Sequence, residues 1–139
     1  MPTKLENEVK KFYEGKGIMI TSLDDYQKEA KKTAIYPDEF KITYPALGLT
    51  SEAGEVAGKV KKILRDTPQE IKTLNDFNNV LRKEAKLKNL AAEIGDVLWY
   101  CAVLASDCGL TLSHIANRNI AKLQSRKQRG VLQGSGDDR

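Results

Sequence analysis

The chain has 139 residues, of which 40% are hydrophobic and 30% charged. This length is typical of one domain with its own core, and the composition is too apolar for a disordered chain. Its longest uncharged apolar stretch, residues 97–106, is far shorter than the roughly 20 residues that span a bilayer, and the charged N-terminus does not resemble a secretory signal. We therefore expect a cytoplasmic chain without a membrane segment, with Cys101 and Cys108 as buried thiols.

The first predicted elements are a charged N-terminal arm over residues 1–20 and the helix that follows it. Ser22, with Asp25 three residues later, has the spacing of an N-terminal capping box. This pattern predicts a helix over residues 23–33. The Tyr-Pro pair at 36–37 ends it, because the residue before a proline disfavours the helical conformation.

Two longer helices carry most of the apolar residues. One is predicted from near residue 44 to residue 66, with Pro45 tolerated in its first turn and apolar residues at helical spacing. The other is predicted over about 88–108, and Gly109 supplies the residue that ends it. Residues 98–104 are apolar on nearly every face of this helix, so we expect it to be the most buried element.

The remaining segments are polar, and none alternates as a half-buried strand would. Residues 69–88 are interpreted as a long connection with at most a short helix. Thr111 or Ser113 caps a last helix, followed by a flexible tail over residues 131–139. The apolar stripe of this helix is expected to pack on the bundle: Leu112, Ile115, Ala116, Ile120 and Leu123. The sequence predicts one all-α domain over residues 21–130, a bundle of about four main helices.

Two of the predicted helices carry the same acidic motif. Glu52-Ala-Gly-Glu55-Val and Glu93-Ile-Gly-Asp96-Val both follow the pattern Glu-x-Gly-acid-Val. Residues three apart lie on one face of a helix, so each segment presents a pair of carboxylates. If the two helices pack with these faces together, four carboxylates converge. Such a partly buried cluster requires protonation or a hard divalent cation, and Mg²⁺ prefers oxygen ligands of this kind.

A glycine lies inside each acidic pair at the same offset. Gly54 and Gly95 are within predicted helices, where a glycine costs about 1 kcal/mol relative to alanine. We interpret the repeated glycine as a sign of close helix approach, or of room for a ligand, at the level of the acids. On spacing alone a second interpretation stays open, in which the first acidic pair contacts Lys59 and Lys62 along a solvated helix edge.

Taken together, these motifs resemble the MazG-like branch of the all-α nucleoside-triphosphate pyrophosphatases. The resemblance covers about residues 22–130 and rests on ALGLTSEAGEV at 46–56, EIGDV at 93–97 and NIAKLQSR at 119–126, with shorter segments at 25–27 and 33–37. It implies that four catalytic carboxylates hold Mg²⁺: Glu52, Glu55, Glu93 and Asp96. Such enzymes cleave nucleoside or deoxynucleoside triphosphates to the monophosphate and pyrophosphate, and they are usually homodimers or homotetramers.

The resemblance also implies substrate-binding residues. It assigns phosphate binding to Asn119, Lys122 and Arg126 on the basic last helix, residues that otherwise form a solvated face. Lys59, one turn beyond Glu55, is either a further phosphate ligand or a plain partner of that acid.

Two more residues are candidates for substrate contact. Tyr100 lies four residues after Asp96 and therefore points to the same side of its helix. It either contacts substrate or is a core tyrosine with a satisfied hydroxyl. Gln27 approaches the nucleotide from the first helix by resemblance only, and His114, the single histidine, is interpreted as structural or exposed.

Several alternatives stay open at the level of the sequence. A similar carboxylate site could act on dUTP, phosphoribosyl-ATP or an alarmone such as ppGpp. A chain of another class would be a helical interaction module whose basic residues 117–129 bind nucleic acid. No aromatic residues are interleaved with these basic residues, so we expect no nucleic-acid partner. A purely structural bundle is the last alternative.

Overall fold

The computed structural model describes Met1, residues 4–14 and residues 20–136, and no strand occurs in these ranges. The elements in chain order are α1 (Lys4–Glu14), α2 (Leu23–Lys32), a 3₁₀ turn (Asp38–Phe40), α3 (Thr43–Asp66), α4 (Leu74–Leu81), α5 (Glu84–Asp107) and α6 (Leu112–Gln128). The prediction of an all-α fold is confirmed. Most of the predicted N-terminal arm is helix α1, while its residues 2–3 and 15–19 and residues 137–139 of the predicted tail lie outside the described ranges.

Several helix ends follow from the residues found there. The Ser22 hydroxyl accepts a hydrogen bond from the backbone N–H of Asp25 at 3.0 Å and caps α2. Thr111 caps α6 by accepting from the N–H of His114 at 3.2 Å. Gly109 follows α5 with a φ of +70°, the left-handed conformation that ends helices. The predictions made for these three positions are confirmed.

The polar segment over residues 69–88 is more ordered than its composition suggested. It contains α4 and the first turn of α5, which begins at Glu84 rather than near residue 88. Thr73 and Asp76 form a reciprocal capping box at the start of α4. Val80 of this helix is buried, and α4 packs against α3. The segment between α3 and α5 is therefore a short helix that packs on the bundle, with brief links on either side.

Helices α3 and α5 pack antiparallel along each other and form the largest helix contact in the described part of the chain. Helix α2 covers the C-terminal half of α5, where the core cluster lies: Ala30, Ala102, Val103, Ala105 and Leu112. Gln27 of α2 joins this core to the link between α5 and α6. Its amide donates to Ser106 Oγ at 2.9 Å and to Leu110 O at 2.8 Å, and accepts from Leu112 N at 2.7 Å.

A buried carboxylate holds the loop between α2 and α3. The Asp107 side chain is 0% exposed and accepts hydrogen bonds from Lys31 Nζ at 2.6 Å, Tyr36 Oη at 2.7 Å and Ile42 N at 3.2 Å. Ile42 has a φ of +67°, a strained conformation for a β-branched residue. The carboxylate therefore fixes the point at which the chain enters α3.

Some apolar residues are less buried than the sequence predicted. In the predicted stripe of α6 only Leu112 is buried, whereas Ile115, Ile120 and Leu123 are exposed. Cys108 is exposed and Cys101 half-buried, so the prediction of two buried thiols is wrong. Among the helices that the structure describes, none is long and apolar enough to cross a membrane.

Candidate metal centre

Three carboxylates from two helices converge where α3 packs on α5. Glu52 of α3 and Glu93 and Asp96 of α5 each place an oxygen within 4.8 Å of the others. The antiparallel packing of α3 on α5 produces this arrangement, because it brings the two acidic motifs to the same level. Glu52 and Glu93 are half-buried and Asp96 is exposed, so the cluster lies at the edge of the helix interface and opens to solvent.

The fourth predicted ligand is not part of this cluster. Glu55 is exposed on α3, one turn from Glu52, and its oxygens are not among those that lie within 4.8 Å of one another. The acidic motifs therefore bring three of four carboxylates together in this structure, and a metal-binding role for Glu55 stays a prediction.

Lys59 contacts the cluster from the α3 side. Its Nζ lies 3.0 Å from Glu93 Oε1, and the two side chains are only 32% and 16% exposed. This ion pair crosses from α3 to α5. It differs from the predicted pairing with Glu55 on the same helix, and a role of Lys59 as a phosphate ligand stays a prediction.

Aromatic side chains extend from the cluster toward the loop before α3. Tyr100 is half-buried, and its ring centroid lies 6.3 Å from that of Tyr44, which stacks on Tyr36 at 4.9 Å. Burial raises the pKa of Tyr100, and the hydrogen bond with Tyr44 and the negative charges of Glu52 and Asp96 raise it further. The Tyr100 hydroxyl is therefore a neutral group within the field of the acidic cluster.

A glycine allows Tyr100 to take this position. An ideal Cβ built on Gly48 of α3 would overlap the Tyr100 ring, so a side chain there requires the ring to move. By contrast, a Cβ on Gly54 or Gly95 would meet nothing within 4 Å. The interpretation of those two glycines as points of close approach between helices of this chain is therefore wrong. The close approach is at Gly48, which the sequence did not single out.

The cluster has the chemistry of a site for a hard divalent cation. Its donors are carboxylate oxygens from three residues, which suit Mg²⁺ better than a soft metal, and its open side leaves room for water or phosphate oxygens. Three acids in such proximity also repel one another, and a bound cation would relieve that repulsion. The residues present therefore fit Mg²⁺.

Three other predicted substrate-binding residues lie on α6. Asn119 and Lys122 are exposed on α6. Arg126 is only 6% exposed, and its Nη2 donates to Gly136 O at 3.5 Å, so the C-terminal segment covers it. The interpretation of Arg126 as part of a solvated face is therefore wrong, and its role in phosphate binding stays a prediction.

Gln27 also differs from its prediction. It is 8% exposed, and its amide is engaged by three partners near residues 106–112. Ser106 lies ten residues beyond Asp96, about 15 Å along α5. The structure supports a role for Gln27 in joining helices, in place of the predicted contact with the nucleotide.

Comparisons with known proteins agree with this geometry. The sequence model of the MazG nucleotide pyrophosphohydrolase domain matches residues 42–131, a range that contains the whole acidic cluster and Lys59. The protein named Gene 37 protein of Mycobacterium phage L5 is 47% identical over 123 residues, which cover 84% of this chain and 98% of that protein. No solved structure matches the chain significantly. With more than half of its residues matched by the domain model, the chain belongs to the MazG nucleotide pyrophosphohydrolase family.

Proposed function

We propose that the chain is a Mg²⁺-dependent pyrophosphohydrolase that converts a nucleoside or deoxynucleoside triphosphate and water to the monophosphate and pyrophosphate. The observation that carries this proposal is the convergence of Glu52, Glu93 and Asp96 in a chain of this family. In the reaction, water forms a new bond to phosphorus and the anhydride bond between the α- and β-phosphoryl groups breaks. The protein contributes positioning and charge stabilisation, which are the main requirements of phosphoryl transfer.

The acidic cluster would hold the cation. Glu52, Glu93 and Asp96 supply oxygen ligands, and Glu55 is proposed as a fourth because it shares the family motif and lies one turn from Glu52. A bound Mg²⁺ supplies charge neutralisation and polarises a phosphoryl oxygen. The carboxylate that is left without a metal contact would accept the proton of the attacking water.

Other side chains would bind the substrate around the cluster. Tyr100 places a neutral hydroxyl beside Glu52 and Asp96 and would form a hydrogen bond with the substrate. Asn119 and Lys122, exposed one turn apart on α6, are proposed phosphate ligands on the family motif. We propose that the enzyme works in the cytoplasm, which the two free thiols of Cys101 and Cys108 support.

A product analysis tests the proposed activity. The protein is incubated with each ribo- and deoxyribonucleoside triphosphate, dUTP included, and with phosphoribosyl-ATP and ppGpp, with Mg²⁺ and with excess chelator. We expect monophosphate and pyrophosphate in equal amounts from at least one nucleoside triphosphate, and none with chelator. Release of orthophosphate instead, or no turnover of any of these compounds, would contradict the proposal.

A matched pair of variants connects the activity to the cluster. Glu93→Gln keeps the shape of the side chain and removes the charge that contacts Lys59. Glu39→Gln makes the same change at an exposed position in the 3₁₀ turn. We expect pyrophosphate release to fall by roughly a hundredfold or more in the first variant and to be unchanged in the second.

We also propose that the chain forms a homodimer or homotetramer. Helix α5 exposes Leu87, Ile94 and Leu98 at helical spacing, and Leu47 of α3 is 69% exposed. Exposed apolar stripes of this kind are typical of surfaces that bind another protein. Light scattering on the purified chain should give a mass of at least two copies, and Ile94→Lys should lower it. A monomeric wild-type chain would contradict this proposal.

A further inference from the structure

The acidic cluster already contains one cation, the ammonium group of Lys59. Its Nζ lies 3.0 Å from Glu93 Oε1, and about two-thirds of the lysine side chain is buried against the helices. Lys59 and Glu52 lie two turns apart on the same face of α3, so both side chains point to α5. The lysine therefore offsets part of the negative charge that Glu52, Glu93 and Asp96 concentrate within 4.8 Å.

This position puts Lys59 in competition with any divalent cation. A cation bound by Glu93 would lie close to the ammonium group, and like charges at such distances repel strongly in a half-buried site. A lysine can leave Glu93 readily, because a flexible stem of four methylenes carries its charge. Its three N–H donors can also rotate to meet another acceptor. An arginine in a two-point contact would be harder to displace.

We propose that Lys59 is an exchangeable internal cation of the metal centre. It neutralises Glu93 while the metal is absent, leaves that carboxylate when a divalent cation binds, and then contacts a phosphate of the substrate. This inference rests on the proposed function for the identity of the metal and the phosphate. It makes metal binding and substrate binding oppose each other at one residue, since the lysine hinders the first and favours the second.

The two halves of the proposal predict effects of opposite sign from one substitution. Lys59→Met removes the charge and keeps most of the apolar stem, so the packing between α3 and α5 is preserved. Lys61→Met is the matched control, because Lys61 is exposed on the opposite face of α3 and the change in net charge is the same. Lys59→Gln is a second neutral variant in case the first folds poorly, and circular dichroism checks the helix content of all of them.

Calorimetric titration of the full chain measures both effects without turnover. With Mn²⁺ alone, we expect the Kd of Lys59→Met to be roughly three- to tenfold lower than that of the wild type, the range that loss of a half-buried charge contact gives. With inorganic pyrophosphate in saturating Mg²⁺, we expect its Kd to be about tenfold higher. Lys61→Met should match the wild type in both titrations.

The outcomes separate this inference from the proposed function. If the wild type binds Mn²⁺ and the Kd is unchanged or higher in both neutral variants, Lys59 does not compete with the metal and the inference is wrong. If the Mn²⁺ affinity rises but pyrophosphate binds as before, the phosphate half of the inference is wrong. If neither the wild type nor the neutral variants bind Mn²⁺, the proposed metal centre is wrong, and the inference with it.

Discussion

The ring of Tyr100 lies against the backbone of Gly48, in the space that a Cβ at position 48 would occupy. This contact joins α5 to α3 four residues before Glu52 and four residues after Asp96. It therefore sets the separation of the two helices immediately beside the acidic cluster. The same ring also contacts Tyr44 in the first turn of α3. Tyr44 stacks on Tyr36, whose hydroxyl donates to Asp107, so the position of Tyr100 is connected to the loop that Asp107 holds.

We predict that Gly48→Ala destabilises the protein, although alanine is the better helix former. The methyl group would displace Tyr100, and overpacking of this kind costs about 1 to 3 kcal/mol. Because the Cβ would overlap the ring itself, we expect a cost in the upper part of this range, above the gain of about 1 kcal/mol from helix propensity. Gly54→Ala, six residues on in the same helix and with nothing within 4 Å, should instead raise the free energy of unfolding. Urea denaturation measures both. Equal effects in the two variants would show that the Tyr100 contact does not constrain position 48.

We predict a graded response of the acidic residues. Asp96→Asn should lower kcat by roughly a hundredfold or more, because its oxygen belongs to the converging cluster. Glu55→Gln should cause a smaller loss, about tenfold, because that side chain lies outside the cluster and has to turn inward to reach a cation. Both are measured as pyrophosphate release at saturating Mg²⁺. A larger loss in Glu55→Gln would rank Glu55 above Asp96 as a ligand.

We predict that Asp107→Ala destabilises the fold by about 2 to 3 kcal/mol. This value is smaller than the cost of breaking a fully buried ion pair, because the Lys31 side chain is partly exposed. The change would leave the Tyr36 hydroxyl and the N–H of Ile42 without their acceptor. Asp38→Ala removes a surface ion pair with Lys41 and should change stability little. Thermal and urea unfolding distinguish the two. A wild-type stability in Asp107→Ala would contradict the role given to this carboxylate.

The same residue predicts a pH dependence of stability. Burial on its own raises the pKa of Asp107, but the hydrogen bonds from Lys31, Tyr36 and Ile42 outweigh it and hold the pKa below the ordinary value of 3.8. The unfolded chain therefore takes up a proton at a higher pH than the folded chain does. The stabilisation is complete above about pH 4 and is lost as the pH falls through the folded-state pKa.

Asp107→Asn provides the measurement for this dependence. The asparagine does not titrate, so the difference in unfolding free energy between the wild type and this variant should be constant at neutral pH and shrink below about pH 4. A difference that stays constant down to pH 2 would show that Asp107 does not titrate differently in the folded and unfolded chains.

The sequence predicted those features that depend on local rules. Three such features depend only on the residues at the helix ends, and the structure contains all of them: the caps at Ser22 and Thr111 and the helix end at Gly109. The capping box of Thr73 and Asp76 obeys the same rule and was overlooked, because the apolar pattern of α4 is short and its surroundings are polar. The two acidic motifs predicted carboxylates at one level of the bundle, and three of the four meet there.

Features that depend on contacts between distant residues were not predictable in this way. Nothing within α3 distinguishes Gly48 from Gly54, since only the docking of Tyr100 from α5 makes one of them necessary. The burial of Arg126 depends on the segment that follows α6. The ion pair of Lys59 with Glu93 depends on the register of α3 against α5, which the spacing within each helix leaves undetermined.

The position of Trp99 offers a direct optical signal from this part of the molecule. It is the single tryptophan of the chain, its indole N–H donates to Thr33 Oγ1 at 2.7 Å, and its ring meets the edge of Tyr100 with centroids 4.9 Å apart. Indole emission responds to changes in polarity and hydrogen bonding. Any ligand that moves Tyr100 should therefore alter the intrinsic fluorescence of the protein, and occupancy can be followed in real time without a label.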